Sequence, residues 1–131
     1  MDVLALAKHV FGNFVLQHLL EYGTGEQQQR LIRELELNAS DLGRDIHSGA
    51  VLAQALVHGP ANERTSLARS LLREKGSLAA MARTRHGSAA ARQVLEALEG
   101  AELEEAYRQL SEEIDTLSIR RYGRAVVACL P

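Results

Sequence analysis

A glycine-centred segment recurs four times along the chain. The copies are FGNFVLQHLL (Phe11 to Leu20), SGAVLAQALV (Ser48 to Val57), HGSAAARQVL (His86 to Leu95) and YGRAVVACLP (Tyr122 to Pro131). Their glycines, Gly12, Gly49, Gly87 and Gly123, stand 37, 38 and 36 residues apart. A period of this length marks a stack of small supersecondary units, each unable to bury its apolar face alone. The apolar positions keep the same beat. Val15, Leu52, Ala90 and Val126 lie three residues after each glycine, and Leu19, Leu56, Val94 and Leu130 lie seven after. That spacing places them on one face of a helix.

Other helical stretches separate the copies. Gly25 to Leu37 carries Leu31, Ile32 and Leu35 on one side, and Pro60 to Glu74 and Ala101 to Glu113 are its counterparts. Pro60 suits a helix start, where its missing N–H costs nothing. Short segments precede each glycine: Val3 to Lys8, Ser40 to Asp45, Ser77 to Arg83 and Ile114 to Ile119. The expected fold is therefore an all-α repeat solenoid with three full three-helix repeats (1–38, 39–75 and 76–112) and part of a fourth (113–131). Composition agrees. Aromatics are 4% and prolines number 2 in 131 residues, so an all-β fold is disfavoured. The single cysteine, Cys129, has no internal disulfide partner, so a reducing compartment is expected. No long uncharged apolar run is present, so neither secretion nor a membrane partner is expected. The array stops at Pro131 inside a glycine helix with no polar capping unit. More repeats flank such an array, or it self-associates through uncapped ends.

The unit resembles the Pumilio (PUF) repeat, with its three helices and its aromatic-Gly-Asn-aromatic-Val-x-Gln core. Lys8 to Glu21 matches that core closely, and the next three units match it more loosely. HEAT and armadillo repeats run somewhat longer and lack the Gly-Asn-x-x-x-Gln signature. The resemblance implies a right-handed superhelix whose middle helices bind single-stranded RNA, about one base per repeat. In the family, the first and fifth residues after the glycine contact the base edge, and the second stacks. The chemistry is suited to reading bases. Residues four apart share a helix face, amides match base edges, and an aromatic or Arg plane stacks.

Carried over, the first repeat supplies Asn13, Phe14 and Gln17, a uracil-type set. The second supplies Ala50, Val51 and Gln54, which leans to adenine, although Ala50 has no polar group. The third supplies Ser88, Ala89 and Arg92, a cytosine-type combination without a ring. The fourth supplies Arg124, Ala125 and Ala128, which match no code. Arg124 is left for phosphate contact or stacking. Family arrays run antiparallel to their RNA, so the implied motif is 5′-N-C-A-U-3′. The family often has Asp three residues before the glycine. Here His9, Ile46, Thr84 and Arg120 stand there, so a helix-start carboxylate is expected to be missing.

The net charge of −2 taken alone speaks against nucleic-acid binding, but the charge is segregated. No acid lies between Asp45 and Glu63, from Met81 to Gln93, or after Leu117. Those stretches hold Arg83, Arg85, Arg92, Arg120, Arg121 and Arg124, while Glu96 to Asp115 is strongly acidic. A basic inner face and an acidic outer face are expected, with Arg85, Arg120, Arg121, His47 and His86 as candidate phosphate contacts. An ordinary solvated helix surface gives the same charge pattern. The five histidines show no paired zinc-type spacing, and no catalytic constellation or cofactor motif is visible, so no metal, no cofactor and no enzymatic activity are expected. The leading function is sequence-selective binding of single-stranded RNA, such as an mRNA 3′ untranslated region, in post-transcriptional and translational control. Protein effectors would sit on the outer face, and the setting would be cytoplasmic, with nuclear or nucleolar placement the alternative. Two other functions fit the weaker repeats: binding of structured or ribosomal RNA with little sequence preference, and a protein–protein scaffold.

Overall fold

The computed structural model describes residues 2–131. Eleven helices follow one another among the described residues: α1 (Val3–Lys8), α2 (Asn13–Tyr22), α3 (Gly25–Leu37), α4 (Ala39–Arg44), α5 (Ser48–His58), α6 (Ala61–Arg73), α7 (Ser77–Ala82), α8 (Arg85–Ala97), α9 (Gly100–Glu112), α10 (Ile114–Leu117) and α11 (Arg121–Val127). The glycine helices α2, α5, α8 and α11 pack side by side in one layer, and α3 packs on α6 in another. The short helices join the layers, with α1 against α4 and α4 against α7. The result is the all-α stack that the period demands.

Local chemistry sets the helix ends. Thr24 opens α3 with a capping box: its hydroxyl accepts from Gln27 N–H while the Gln27 side chain accepts from Thr24 N–H. Pro60 stands just before α6, as its missing N–H allows. Gly76 precedes α7 at φ 82°, a left-handed conformation that side chains disfavour. Leu31, Ile32 and Leu35 of α3 are buried, as their spacing requires, and they join a continuous core with Leu16, Leu52, Leu71 and Leu78.

The recurrent glycines have a steric cause. All four have ordinary negative φ. A methyl group at Gly87 would strike the Met81 carbonyl oxygen and Thr84 Oγ1, and one at Gly123 would strike the Leu117 carbonyl oxygen. At Gly12 it would lie 2.8 Å from Leu6 Cδ2, and at Gly49 2.6 Å from the Gly87 backbone nitrogen. At Gly49, Gly87 and Gly123 the obstacle is backbone, of the short helix before or of the next glycine helix, whereas at Gly12 it is the end of the Leu6 side chain, which can shift.

The repeated apolar positions are not equally buried. Leu52, Ala90 and Val126 are buried, but Val15 is 51% exposed. Leu19, on the same helix, is half-buried. Polar contacts join the outer layer from unit to unit. Gln29 Nε2 donates to Glu63 at 3.0 Å, Arg69 pairs with Glu102 at 2.9 Å, and Gln109 Nε2 donates to the Leu72 carbonyl at 3.2 Å. The Arg69–Glu102 pair is exposed and adds at most about 1 kcal/mol. Arg83 pairs with Glu113 at 3.0 Å and donates to Thr116, so it is committed to the junction with α10 and does not join the basic face. On α9, Arg108 bridges Glu105 and Glu112, and its hydrogen bond holds the Glu105 carboxyl down at about 2.

Candidate nucleic-acid interface

The glycine helices open on turns that are capped differently in each unit. In the first, His9 Nδ1 accepts from the N–H groups of Phe11 (3.0 Å) and Gly12 (2.9 Å). In the second, an Asp45 carboxylate oxygen accepts from His47 and Ser48 N–H, both at 2.9 Å. In the third, Thr84 Oγ1 accepts from Gly87 N–H at 2.9 Å. The helix-start carboxylate expected to be missing is therefore present in the second unit. It comes from Asp45, four residues before the glycine, one residue earlier than the family spacing. Asp45→Ala is expected to lower stability by about 1 kcal/mol, read as a shift in the denaturation midpoint.

These turns place side chains along one edge of an open groove of about 470 Å³. Val10, Phe11, Phe14, Asn13 and Gln17 line it from the first unit. Ile46, His47, Ala50, Ala53 and Gln54 line it from the second, and His86 and Ala89 from the third. Phe14 is 63% exposed and Phe11 73% exposed, so two ring faces meet solvent beside amides and imidazoles. Flat apolar faces flanked by donors and acceptors are what an unstacked base needs. Val10, Phe11, Ile46 and Ala53 were not among the site residues expected from sequence. Phe11 carried a signal, since it is the aromatic residue directly before Gly12. Ile46 carried none, because an apolar residue near a glycine helix reads equally well as core.

Residues 2–36 match the model of the Pumilio-family RNA binding repeat. The Puf3 RNA binding domain bound to the Cox17 RNA 3′ UTR recognition sequence site A is similar over 96% of this chain and 36% of that chain, with a TM-score of 0.76 and 26% identity. Residues 2–36 thus carry a Pumilio-type repeat, and the fold of the chain is similar to that of this domain. The RNA-binding domain of yeast Puf5p bound to AAT2 RNA shares the fold at a TM-score of 0.74 and 16% identity, over 97% of this chain and 36% of that chain. The chain thus spans about a third of the length of these solved domains. Comparison with the curated proteins finds no match.

Several positions carried over from the Pumilio pattern sit differently from expectation. Asn13 borders the groove but is only 5% exposed, its side-chain N–H groups held by the His9 and Val10 carbonyls. Val51 is 0% exposed, packed in the core between α5 and its neighbours, so it has no face on which a base can stack. Ser88 is buried, and its hydroxyl donates to the Arg85 carbonyl at 2.9 Å. α5 and α8 pack against each other, and Val51 and Ser88 are both buried within them. Phe14, Gln17, Ala50, Gln54 and Ala89 do line the groove. Arg92 lines a neighbouring hollow with Ala89, Gln93, Tyr107 and Cys129.

The fourth unit presents cations in another way. Arg124 Nη1 donates to the carbonyls of Ser118 (3.2 Å) and Ile119 (3.1 Å), closing the end of α10. That gives Arg124 a structural role. Arg121 donates to the Tyr122 hydroxyl at 2.8 Å and lies 4.9 Å from the centre of its ring, and this hydrogen bond lowers the Tyr122 pKa. Arg85 and Arg120 are exposed. The helices α2 and α5 contain no Lys or Arg, whereas α8 and α11 each carry two, Arg85 and Arg92, then Arg121 and Arg124. Ring faces and amides thus dominate one end of the inner layer, and cations the other.

Proposed function

We propose that this chain binds single-stranded RNA along the inner helices and serves post-transcriptional control of messenger RNA. The groove that gathers Phe14, Gln17, His47, Gln54 and His86 from three successive units carries the reading. It offers a solvent-facing ring, two amides and two imidazoles to one strand. Likeness to a Puf3 domain solved with a 3′ UTR sequence supports the same class of ligand. Arg85, Arg92, Arg120 and Arg121 would take the phosphates of the flanking nucleotides. The outer helices α3, α6 and α9 would stay open to protein effectors.

Titration of a short single-stranded RNA carrying 5′-NCAU-3′, against its duplex form, tests this. Binding should favour the single strand and weaken with salt at a slope of about −0.7 per phosphate neutralised. Equal or tighter binding to the duplex would favour recognition of structured RNA with little sequence preference. No binding at low salt would favour a protein scaffold.

A further inference from the structure

The outer helices α3, α6 and α9 carry a repeating charge pattern. The third residue of each is Gln27, Glu63 or Glu102, and the ninth is Arg33, Arg69 or Arg108. Arginine at the ninth place pairs with the third place of the next outer helix. Arg33 meets Glu63 at 3.7 Å, and Arg69 meets Glu102 at 2.9 Å. Neither end of the stack extends this pattern. Arg108 turns back to Glu105 and Glu112 of its own helix. Gln27 is uncharged, and its side chain accepts from Thr24 N–H. A second copy stacked head to tail would therefore bring Arg108 to an amide already in use, with no carboxylate in register.

The first unit presents a different kind of surface. Leu19 of α2 lines a hollow of about 540 Å³ with Arg30 and Glu34 of α3. Val15 lies one turn before Leu19 and is 51% exposed, and Tyr22 lies three residues after it and is 70% exposed. These three share one face of α2. The counterparts of Val15 and Leu19 in α5 and α8, Leu52, Leu56, Ala90 and Val94, are all buried. Arg30 and Glu34 are both exposed, and neither has an ion partner among the described residues. They stand four apart on one face of α3, in the order less suited to pairing within a helix.

A cation and an anion side by side, next to an apolar stripe, complement a copy of themselves. About a two-fold axis passing between these residues, Arg30 of one copy faces Glu34 of the other, and Glu34 faces Arg30. The stripe of Val15, Leu19 and Tyr22 meets its own copy across the same axis. We infer that this end of the stack is a self-association surface whose partner is a second copy of this chain, related by two-fold symmetry. Such symmetry closes the assembly at two copies, whereas head-to-tail stacking leaves ends open. None of these five residues lines the groove of the first three units, so the inference does not rest on the RNA-binding reading.

Sedimentation equilibrium of the unaltered chain over a range of concentrations should show the mass rising from one chain to two and no further. A mass that stays at one chain overturns the inference, and a mass that climbs beyond two overturns the two-fold arrangement. Charge reversal then tests the pairing. Arg30→Glu sets carboxylates opposite carboxylates, and Glu34→Arg sets guanidinium groups opposite guanidinium groups. Each variant alone should dissociate at roughly tenfold higher concentration than the unaltered chain. Mixed in equal amounts, the two variants should associate with each other as tightly as the unaltered chain, because each supplies the charge that the other lacks. Both side chains are exposed, so neither change should move the denaturation midpoint, and misfolding cannot imitate recovery on mixing. A dimer that survives both reversals, or variants that stay apart when mixed, would place the contact elsewhere and overturn the inference.

Discussion

Gly87→Ala is expected to destabilise the array by about 3 kcal/mol, the upper part of the range for overpacking. The added methyl group meets two atoms that have little freedom to move. One is the Met81 carbonyl oxygen at the end of α7. The other is Thr84 Oγ1, which caps α8 by accepting from Gly87 N–H. On the far side, the Gly87 backbone already lies against Gly49 of α5. Relief in either direction breaks the cap or separates the two helices. Helix propensity works the other way, since Ala is favoured over Gly by about 1 kcal/mol inside a helix. The steric cost outweighs it here. Gly25→Ala is the control: no atom lies within 4 Å of the added group, so stability should hold or rise slightly. Chemical denaturation of both variants decides the matter, and a Gly87→Ala midpoint equal to that of the unaltered chain would show that the helices yield more readily than their packing implies.

Phe14→Ala is expected to weaken binding of single-stranded RNA by about 1–3 kcal/mol, or roughly fivefold to 150-fold, through loss of one stacking surface. Stability should hardly change, because the ring is 63% exposed and makes little of the core. Val51→Ala should behave in the opposite way. Val51 is fully buried, so its truncation should cost about 2 kcal/mol of stability and leave RNA affinity at the inner groove intact. Titration and denaturation of the two variants in parallel give a crossed pattern if the groove is the binding surface. A Phe14→Ala variant that binds RNA as tightly as the unaltered chain would move the site away from this groove.

Asp45 shows where spacing misleads. A search for an acid at a set distance before each glycine passes over it, because the turn before α5 holds one more residue between the cap and the glycine. The structure recovers the same physical device, a carboxylate receiving the free N–H groups at a helix start. Arg83 misleads in the other direction. In sequence it belongs to a basic stretch, yet its guanidinium reaches across to Glu113 and Thr116, 30 and 33 residues on. A charge count along the chain does not say which charges have already found partners.

The helical stack itself was legible without coordinates. Four glycines at a near-constant spacing, with apolar residues three and seven positions later, point to a stack in which neighbouring units cover one another's apolar faces, and helix periodicity is a local property of the chain. The groove residues Phe14, Gln17 and Gln54 followed from the resemblance to the Pumilio repeat, carried over position by position. What only the tertiary structure decided is which side chains of that register remain available. Val51 and Ser88 are buried, and Asn13 spends its N–H groups on the turn before α2. Helices far apart in the sequence meet as closely as Gly49 meets the Gly87 backbone, and a period read along one chain contains no information about such contacts.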